Sequence, residues 1–109
     1  MLLPQDAIIA EDKLTKYLLV LLPKDDKSKF LAQAGYTLDN WRQLEQDLRT
    51  QVLTQTAELI EITRYGKKYL ITACLRGTNG VEISILTIWM ATNDTTRFVT
   101  LIPDKGVNQ

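Results

Sequence analysis

The hydrophobic pattern of the chain changes its period near residue 57, and this change restricts the fold more than any other feature. Before it, apolar residues recur at helical spacing, and after it they alternate every second residue. The alternating part contains four runs, AELIEIT, KYLITACLR, VEISILTIWM and RFVTLI, which are joined by RYGK, GTNG and ATNDTT. Short connections between consecutive strands produce an antiparallel meander, and Asn79-Gly80 is typical of a two-residue hairpin turn. The sequence therefore predicts an α+β domain with helices on one face of a four-stranded sheet.

About three helices are predicted between residues 11 and 56. The first, EDKLTKYLLVLL, ends before Pro23, and its apolar residues share one face: Leu14, Tyr17, Leu18 and Leu21. The second, KSKFLAQA, is expected to begin at a cap from Asp25 or Asp26 and to end at Gly35. The third begins at Thr37 and has one apolar stripe: Leu38, Trp41, Leu44, Leu48 and Val52.

Length and charge indicate a single small domain over residues 1–109, with strands over about 57–103 and a short tail over 104–109. Thirteen basic and thirteen acidic side chains cancel, so any contact with nucleic acid must use a local basic patch. The longest apolar run, Tyr17 to Leu22, is too short to span a membrane, and no signal peptide is apparent. We expect a cytoplasmic protein without membrane contact. The single cysteine, Cys74, is expected to be a small buried hydrophobe in a reducing compartment.

The chain contains no histidine, and this absence restricts the chemistry. It excludes Ser-His-Asp and Cys-His catalysis and histidine-ligated zinc. The sequence has no phosphate-binding loop, dinucleotide fingerprint or calcium loop, so we expect neither a metal nor a cofactor. An active site would have to use Lys, Arg, Tyr, Glu or Asp.

The segment TIWMATNDTTRFVTLIP forms the last hairpin and allows two registers. With a loop over 91–96, three pairs form across it: Met90 with Arg97, Trp89 with Phe98, and Thr87 with Thr100. A shift by one residue would instead place Arg97 on the face of Trp89. Arg97 can bind a phosphate through two parallel hydrogen bonds, or it can pair with Asp94 as an ordinary surface charge.

Two basic clusters are candidates for anion binding. The first contains Lys24, Lys27 and Lys29, and the second surrounds Tyr65 with Arg64, Lys67 and Lys68. Basic residues beside an aromatic ring can hold a phosphate and stack a base, although charged turns are also typical of any solvated surface. The third strand has a second face that is not polar, with Leu86, Ile88 and Met90, so it is expected to be buried or to be covered by the N-terminal segment, a second copy or a partner.

Several segments in this order resemble an uncharacterised bacterial domain family: KLTKYLL (13–19), KSKFLAQAGYTLDNW (27–41), YGKKYLI (65–71), LRGTNG (75–80), TIW (87–89) and TRFVTLIP (96–103). The resemblance covers about residues 3 to 103. Members of that family occur as small free-standing proteins and as C-terminal modules of large secreted toxins. The resemblance implies a fold similar to the small nuclease toxins of the barnase, colicin and messenger-RNA interferase type, which cut RNA.

The resemblance also implies which positions matter. The family positions that carry over are Lys27, Tyr36, Tyr65, Gly66, Thr87, Trp89, Arg97 and Thr100. The family often has a His-Pro or Gly-rich stretch before the residue matching Lys27, where this chain has VLLPKDD, and a proline before Arg97, where it has Thr96. If these residues belong to an active site, this member is expected to be weak or non-catalytic.

Two functional hypotheses follow. In the first, the protein is a ribonuclease-like toxin domain held in check by an antitoxin or immunity-type protein. Lys27 and Arg97 are then the candidate catalytic residues, and the candidate RNA-binding residues are Tyr65, Lys68, Thr87, Trp89 and Thr100. In the second, the protein is a non-catalytic interaction module or a homo-oligomer-forming accessory protein that uses the apolar second face of the sheet.

Overall fold

The computed structural model describes residues 1–23 and 27–104 and contains one antiparallel sheet in the order β1-β2-β3-β4. The strands are β1 Glu58–Thr63, β2 Gly66–Arg76, β3 Glu82–Ala91 and β4 Thr96–Pro103. Three helical segments precede them. They are α1, with Glu11–Lys13 and a π-helical turn Leu14–Leu18; α2, Ser28–Ala32; and α3, with a 3-10 turn Leu38–Asn40, an α-helix Trp41–Asp47 and a π-helical turn Leu48–Val52. The predicted α+β architecture is confirmed.

The wide turns that end α1 and α3 determine which leucines are buried. The amide of Leu19 donates to the carbonyl of Leu14 at 3.0 Å, and that of Leu53 donates to Leu48 at 3.0 Å. Such i to i−5 bonds widen the last turn of the helix. Two consecutive residues at each helix end then face the core: Leu18 and Leu19 in the first case, Val52 and Leu53 in the second. The predicted first helix was too long, because the helix ends at Leu18 and Leu21 lies beyond it, 67% exposed. Tyr17, inside the π-helical turn, is 58% exposed on the side away from the core.

The ends of α2 and α3 agree with the sequence pattern where the structure describes them. Gly35 follows α2 with a φ of 89°, as expected for a helix-terminating glycine. Thr37 and Asn40 form a capping box at the start of α3. The predicted caps of α2, Asp25 and Asp26, lie outside the described residues.

The sheet has one covered face and one open face. We define the inner face as the one that bears Thr87 and Trp89, which are both 0% exposed. The helices and the N-terminal segment cover it, with the buried residues Leu3, Ala7 and Ile9. The outer face bears Leu86, Ile88 and Met90, which are half-buried, and the described residues place no helix on it. The sequence predicted that this face is buried or is covered by the N-terminal segment, a second copy or a partner, and the described part of the chain leaves it without a covering helix.

The register of the last hairpin is that of the 91–96 loop, with one irregularity. Met90 pairs with Arg97 and Trp89 pairs with Phe98, as that one of the two possible registers requires, but Ile88 pairs with Thr100. Val99 is therefore an extra residue, a β-bulge, and the predicted pairing of Thr87 with Thr100 is wrong. Partners in an antiparallel pair share a face, so the bulge moves Thr100 to the outer face, which also bears Arg97.

The β2–β3 hairpin forms, but its loop is longer than the predicted two-residue turn. Arg76 pairs with Glu82, and the amide of Gly77 donates to the carbonyl of Val81 at 2.9 Å, which leaves a three-residue loop over 78–80. The amide of Gly80 donates to the carbonyl of Gly77 at 3.1 Å, and Gly80 has a φ of 84°. A turn followed by a residue with positive φ is the usual geometry of a three-residue hairpin, so Gly80 follows the turn instead of occupying it. The loop packs on the end of α2, where Thr78 Oγ1 donates to the carbonyl of Gly35 at 3.0 Å.

Cys74 is exposed on the outer face, so the prediction that it is buried is wrong. Its strand alternates, and Cys74 occupies an outward position opposite Ser84. Its Sγ lies 3.5 Å from Glu82 Oε1. Partial desolvation, followed by the hydrogen bond to Glu82 and its negative charge, raises the pKa of the Cys74 thiol above its ordinary value.

No helix among the described residues is long and apolar enough to cross a membrane.

Gly77 packs so closely on α2 that we expect a side chain there to destabilise the fold. A Cβ atom at Gly77 would lie 1.8 Å from the carbonyl oxygen of Ala34, whereas one at Gly80 would meet nothing within 4 Å. Gly77→Ala should reduce the free energy of unfolding by about 3 kcal/mol, and Gly80→Ala by only about 1 kcal/mol through its backbone angle. Urea unfolding measures both, and equal losses would contradict the close packing.

Glu82 is expected to suppress the reactivity of Cys74. Because Glu82 raises the pKa of the thiol, the Glu82→Gln variant should contain more thiolate at pH 8 and should react with iodoacetamide about two- to threefold faster. Glu58→Gln, which changes another exposed acid of the sheet, is the matched control. An unchanged rate in Glu82→Gln would show that Glu82 does not control the thiol.

Candidate functional site

A cleft of about 430 Å³ opens between α1 and the edge of β4. We call it the β4-edge cleft, and its walls are formed by Lys13, Tyr17, Leu18, Leu22, Lys27, Phe98, Val99 and Thr100. The two lysines give it positive charge, and its described lining contains no carboxylate. A cleft with an apolar wall and ammonium groups suits an anionic ligand that also has an apolar part.

Lys27 reaches this cleft from the start of α2. Its Nζ donates a hydrogen bond to Thr100 Oγ1 at 3.2 Å, although the two residues lie 73 positions apart in the sequence. The carbonyl of Lys27 also accepts the amide of Leu31 at 3.0 Å, which fixes its backbone to the helix. Lys27 forms no ion pair with any carboxylate of the described residues. Among the described residues, only the hydroxyl of Thr100 is recorded as a partner of its ammonium group at the strand edge.

Arg97 lies on the outer face, and a single residue pair, Trp89 with Phe98, separates its row of the sheet from the row of Thr100. Alternate residues of a strand are about 7 Å apart, so the guanidinium arm can extend over the same stretch of β4. Its backbone is fixed on both sides, because Met90 pairs with it in β3 and Ile8 forms a parallel bridge to it. The alternative pairing with Asp94 is not seen, and Arg97 is exposed without an ion pair among the described residues.

Thr87 and Trp89 lie in the core, on the opposite side of the sheet from Arg97. The indole Nε1 of Trp89 donates to Thr87 Oγ1 at 2.8 Å, and Thr87 Oγ1 donates to the carbonyl of Ile71 at 3.1 Å. The ring of Trp89 meets that of Phe98 edge to face, with the centroids 5.2 Å apart. Both side chains are fully buried and their polar atoms are paired, so they support the cleft wall from beneath.

The two remaining predicted residues lie away from the cleft. Lys68 is on the outer face, separated from Arg97 by Met90, and its Nζ lies 3.2 Å from Glu61 Oε1. Tyr65 is at the β1–β2 turn and is 70% exposed. The structure therefore brings Lys27 and Thr100 into contact, places Arg97 and Lys68 on the same outer face but outside the lining of the cleft, and sets Tyr65 apart at the β1–β2 turn.

Lys13 and Tyr17 also line the cleft, and the sequence reasoning missed them as site residues. They are four positions apart, so they lie one above the other on α1. Tyr17 was assigned to the buried stripe because it stands beside Leu14 and Leu18, which are 0% and 3% exposed. The i, i+4 spacing of a basic and an aromatic residue was the available signal.

Tyr36, one of the positions carried over from the family that the sequence resembles, joins two elements of the fold. Its hydroxyl donates to Asp47 Oδ2 and lies 3.2 Å from the carbonyl oxygen of Arg76, so it links α3 to β2. Burial, and then the hydrogen bond and charge of Asp47, raise the pKa of Tyr36 far above its ordinary value. Tyr36 therefore acts as a neutral hydrogen-bond donor that ties α3 to β2.

Within the described residues, no group of three Cys, Asp or Glu side chains is placed to hold a metal ion. The β4-edge cleft itself offers ammonium and hydroxyl donors to an anion, and the guanidinium of Arg97, which does not line the cleft, lies on the outer face of the same strand.

Comparison with known proteins identifies the family. No curated protein and no solved structure matches the chain. One family model, described as "Domain of unknown function (DUF6883)", matches residues 4–105. Because this match covers nearly the whole chain, the protein belongs to the DUF6883 domain family.

Proposed function

We propose that this protein is a small ribonuclease-like domain that binds RNA phosphates at the β4-edge cleft. The observation that carries the proposal is the hydrogen bond from Lys27 Nζ to Thr100 Oγ1, on the sheet face that also bears Arg97. Two cations without ion pairs among the described residues thus lie beside one strand edge, in a chain whose net charge is zero. The resemblance to toxin-associated domains supports RNA as the substrate.

Cleavage of RNA without histidine requires stabilisation of negative charge. When the 2′-oxygen attacks phosphorus, the bond from phosphorus to O5′ breaks, and charge develops on the non-bridging oxygens. Cations already fixed at that position lower the barrier, because they need no reorganisation during the reaction. Arg97 would hold two of these oxygens, and the Lys27 ammonium would donate a proton to the departing O5′. The proton of the 2′-hydroxyl passes to solvent water.

A nuclease of this kind acts where RNA is present, so we propose a cytoplasmic site of action. A host that makes such an enzyme needs a protein that covers the site. An antitoxin or immunity-type partner with carboxylates facing Lys13, Lys27 and Arg97 would match the charge of the cleft. The bacterial origin and the toxin context are likewise parts of this proposal that come from the resemblance.

Cleavage of a labelled single-stranded RNA by the purified protein tests the site. Arg97→Ala should reduce the rate at least about a hundredfold, and Lys27→Ala should have an effect of similar size, because each removes charge from the phosphate. Thr100→Val keeps the shape of the side chain and removes the hydroxyl, and it should reduce the rate about tenfold. Lys29→Ala is the matched control, since Lys29 is an exposed lysine of α2 outside the cleft.

Thermal unfolding of each variant shows whether a lost activity results from lost structure. Intact RNA after incubation with concentrated wild-type protein at low salt would overturn the proposal. Equal rates for Lys27→Ala, Arg97→Ala and Lys29→Ala would also overturn it, because contaminating nuclease would then account for the cleavage.

The open outer face favours a second candidate function, an accessory module that pairs with a second copy. Leu70, Leu86, Ile88 and Met90 form an apolar band across β2 and β3 on that face. Two twisted sheets can pack through such bands, face to face.

If the outer faces of two copies pack together, light scattering during gel filtration should show a concentration-dependent dimer. Ile88→Glu should abolish this dimer, whereas Gln46→Glu, a change at an exposed position of α3, should not. A monomer at high concentration would reject this candidate.

A further inference from the structure

A second cleft, of about 470 Å³, lies at the far end of the sheet, between the β1–β2 turn and the β3–β4 loop. We call it the hairpin-tip cleft, and the residues that matter to its chemistry are Ile62, Arg64, Tyr65, Lys67, Tyr69 and Asn93. Ile62 pairs with Lys67, and Leu59 pairs with the buried Tyr69, so this part of β1 continues the inner face. Ile62 is 68% exposed there, which gives the cleft an apolar wall open to solvent.

The charge of the hairpin-tip cleft has one sign. Arg64 and Lys67 line it, and its wall contains no aspartate or glutamate. Neither cation forms an ion pair with a described carboxylate. In a chain with equal numbers of acids and bases, a pocket with two cations and no acid is a local anion-binding feature.

The ring of Tyr65 is held in a fixed orientation at the entrance to the cleft. The guanidinium carbon of Arg64 lies 5.2 Å from the ring centroid, over one face, and Arg64 Nη2 donates to the Tyr65 hydroxyl at 3.1 Å. The turn beneath is fixed by Thr63, whose Oγ1 accepts the amide of Tyr65 at 3.0 Å and donates to the carbonyl of Gly66 at 3.1 Å. The ring remains 70% exposed, so its second face is available for stacking.

We infer that the hairpin-tip cleft binds a nucleotide unit, with the base stacked on Tyr65 and the phosphate held by Lys67 and Arg64. An exposed aromatic ring beside unpaired cations is the combination that binds single-stranded nucleic acid without reading its sequence. Asn93, on the opposite loop, offers an amide that can hydrogen-bond to a base edge. The choice of RNA as the source of this nucleotide rests on the proposed function.

The two clefts are close enough for one RNA strand to reach both. Thr100 aligns through Ile88 with Leu70, four residues from Gly66 along β2. Strand rise and strand spacing place Gly66 roughly 16 Å from Thr100. The hairpin-tip cleft is lined by residues of the inner face and the other cleft lies at the edge of β4, so the RNA would have to run from that edge to the end of the sheet. A single strand of at least about four nucleotides would be needed, which is within the site sizes of single-strand binders.

Binding of a fluorescein-labelled 2′-O-methyl RNA octamer, measured by anisotropy, tests the inference separately from cleavage, because this RNA has no free 2′-hydroxyl. Tyr65→Ala should weaken binding about tenfold, whereas Tyr65→Phe should retain it, since the base stacks on the ring. Lys67→Ala should weaken binding and reduce the slope of log K against log salt by about 0.7. Lys16→Ala, which changes an exposed lysine of α1 outside both clefts, should leave both quantities unchanged.

Competition with adenosine monophosphate distinguishes the two sources of a nucleotide unit. If adenosine monophosphate displaces the labelled octamer only at concentrations far above those at which unlabelled octamer does, the ligand is an RNA strand. If it displaces the octamer at equal concentration, that choice is overturned in favour of a free nucleotide. Unchanged affinity in both Tyr65→Ala and Lys67→Ala, or no binding of the octamer at all, overturns the inference. Binding that depends on Tyr65, with no cleavage of ordinary RNA, would leave this inference standing and reject the proposed function.

Discussion

The need to bury one indole organises the centre of this protein. Trp89 is among the largest fully buried side chains, and its N–H requires an acceptor because an unpaired donor in the core costs about 1–3 kcal/mol. Thr87, two positions earlier on the same face, supplies that acceptor and in turn donates to β2 at Ile71. The ring of Phe98 then fixes β4 against the indole. Strands β2, β3 and β4 are thus joined through two successive inward positions of β3, and the helices cover this part of the inner face.

The bulge at Val99 connects this core to the surface. Up to Phe98, the strand follows a regular register that keeps Arg97 outward and Phe98 inward. One extra residue then lets Leu101 return to the core while Thr100 turns outward, beside the position that Lys27 reaches. Without the bulge, Arg97 and Thr100 would lie on opposite faces, because three positions along a regular strand reverse the side-chain direction. The extra residue therefore puts both on the outer face.

The sequence was sufficient for the architecture because hydrophobic period depends on local spacing alone. The change near residue 57 correctly predicted helices and then a meander, whereas the last hairpin allowed two registers, and the structure has the one that pairs Met90 with Arg97. The sequence was insufficient where a single extra residue, or a contact between distant segments, sets the direction of a side chain. A bulge has no signature in TRFVTLIP, so the placement of Thr100 was wrong. Cys74 stands in an apolar run, but its register opposite Ser84 turns it outward.

The candidate site was harder to predict than the fold for the same reason. The resemblance suggested Lys27 and Thr100 as separate positions, and only the packing of α2 beside β4 brings them into contact. Tyr17 was assigned to the core because helical periodicity cannot show where a helix ends in a wide turn. Thr87 and Trp89 were suggested as binding residues, because the sequence could not show that their polar atoms bond to each other and to Ile71 in the core.

The bridge between Ile8 and Arg97 has a consequence for how copies of the chain can meet edge to edge. It occupies backbone groups at the start of β4, and the bulge distorts the strand just beyond it. At the other side of the sheet, β1 has no strand beyond it among the described residues. A fibre that grows by strand addition needs two free edges on every copy. Because the start of the β4 edge is occupied and distorted, strand addition there is disfavoured, and joining through β1 favours a pair over an extended sheet.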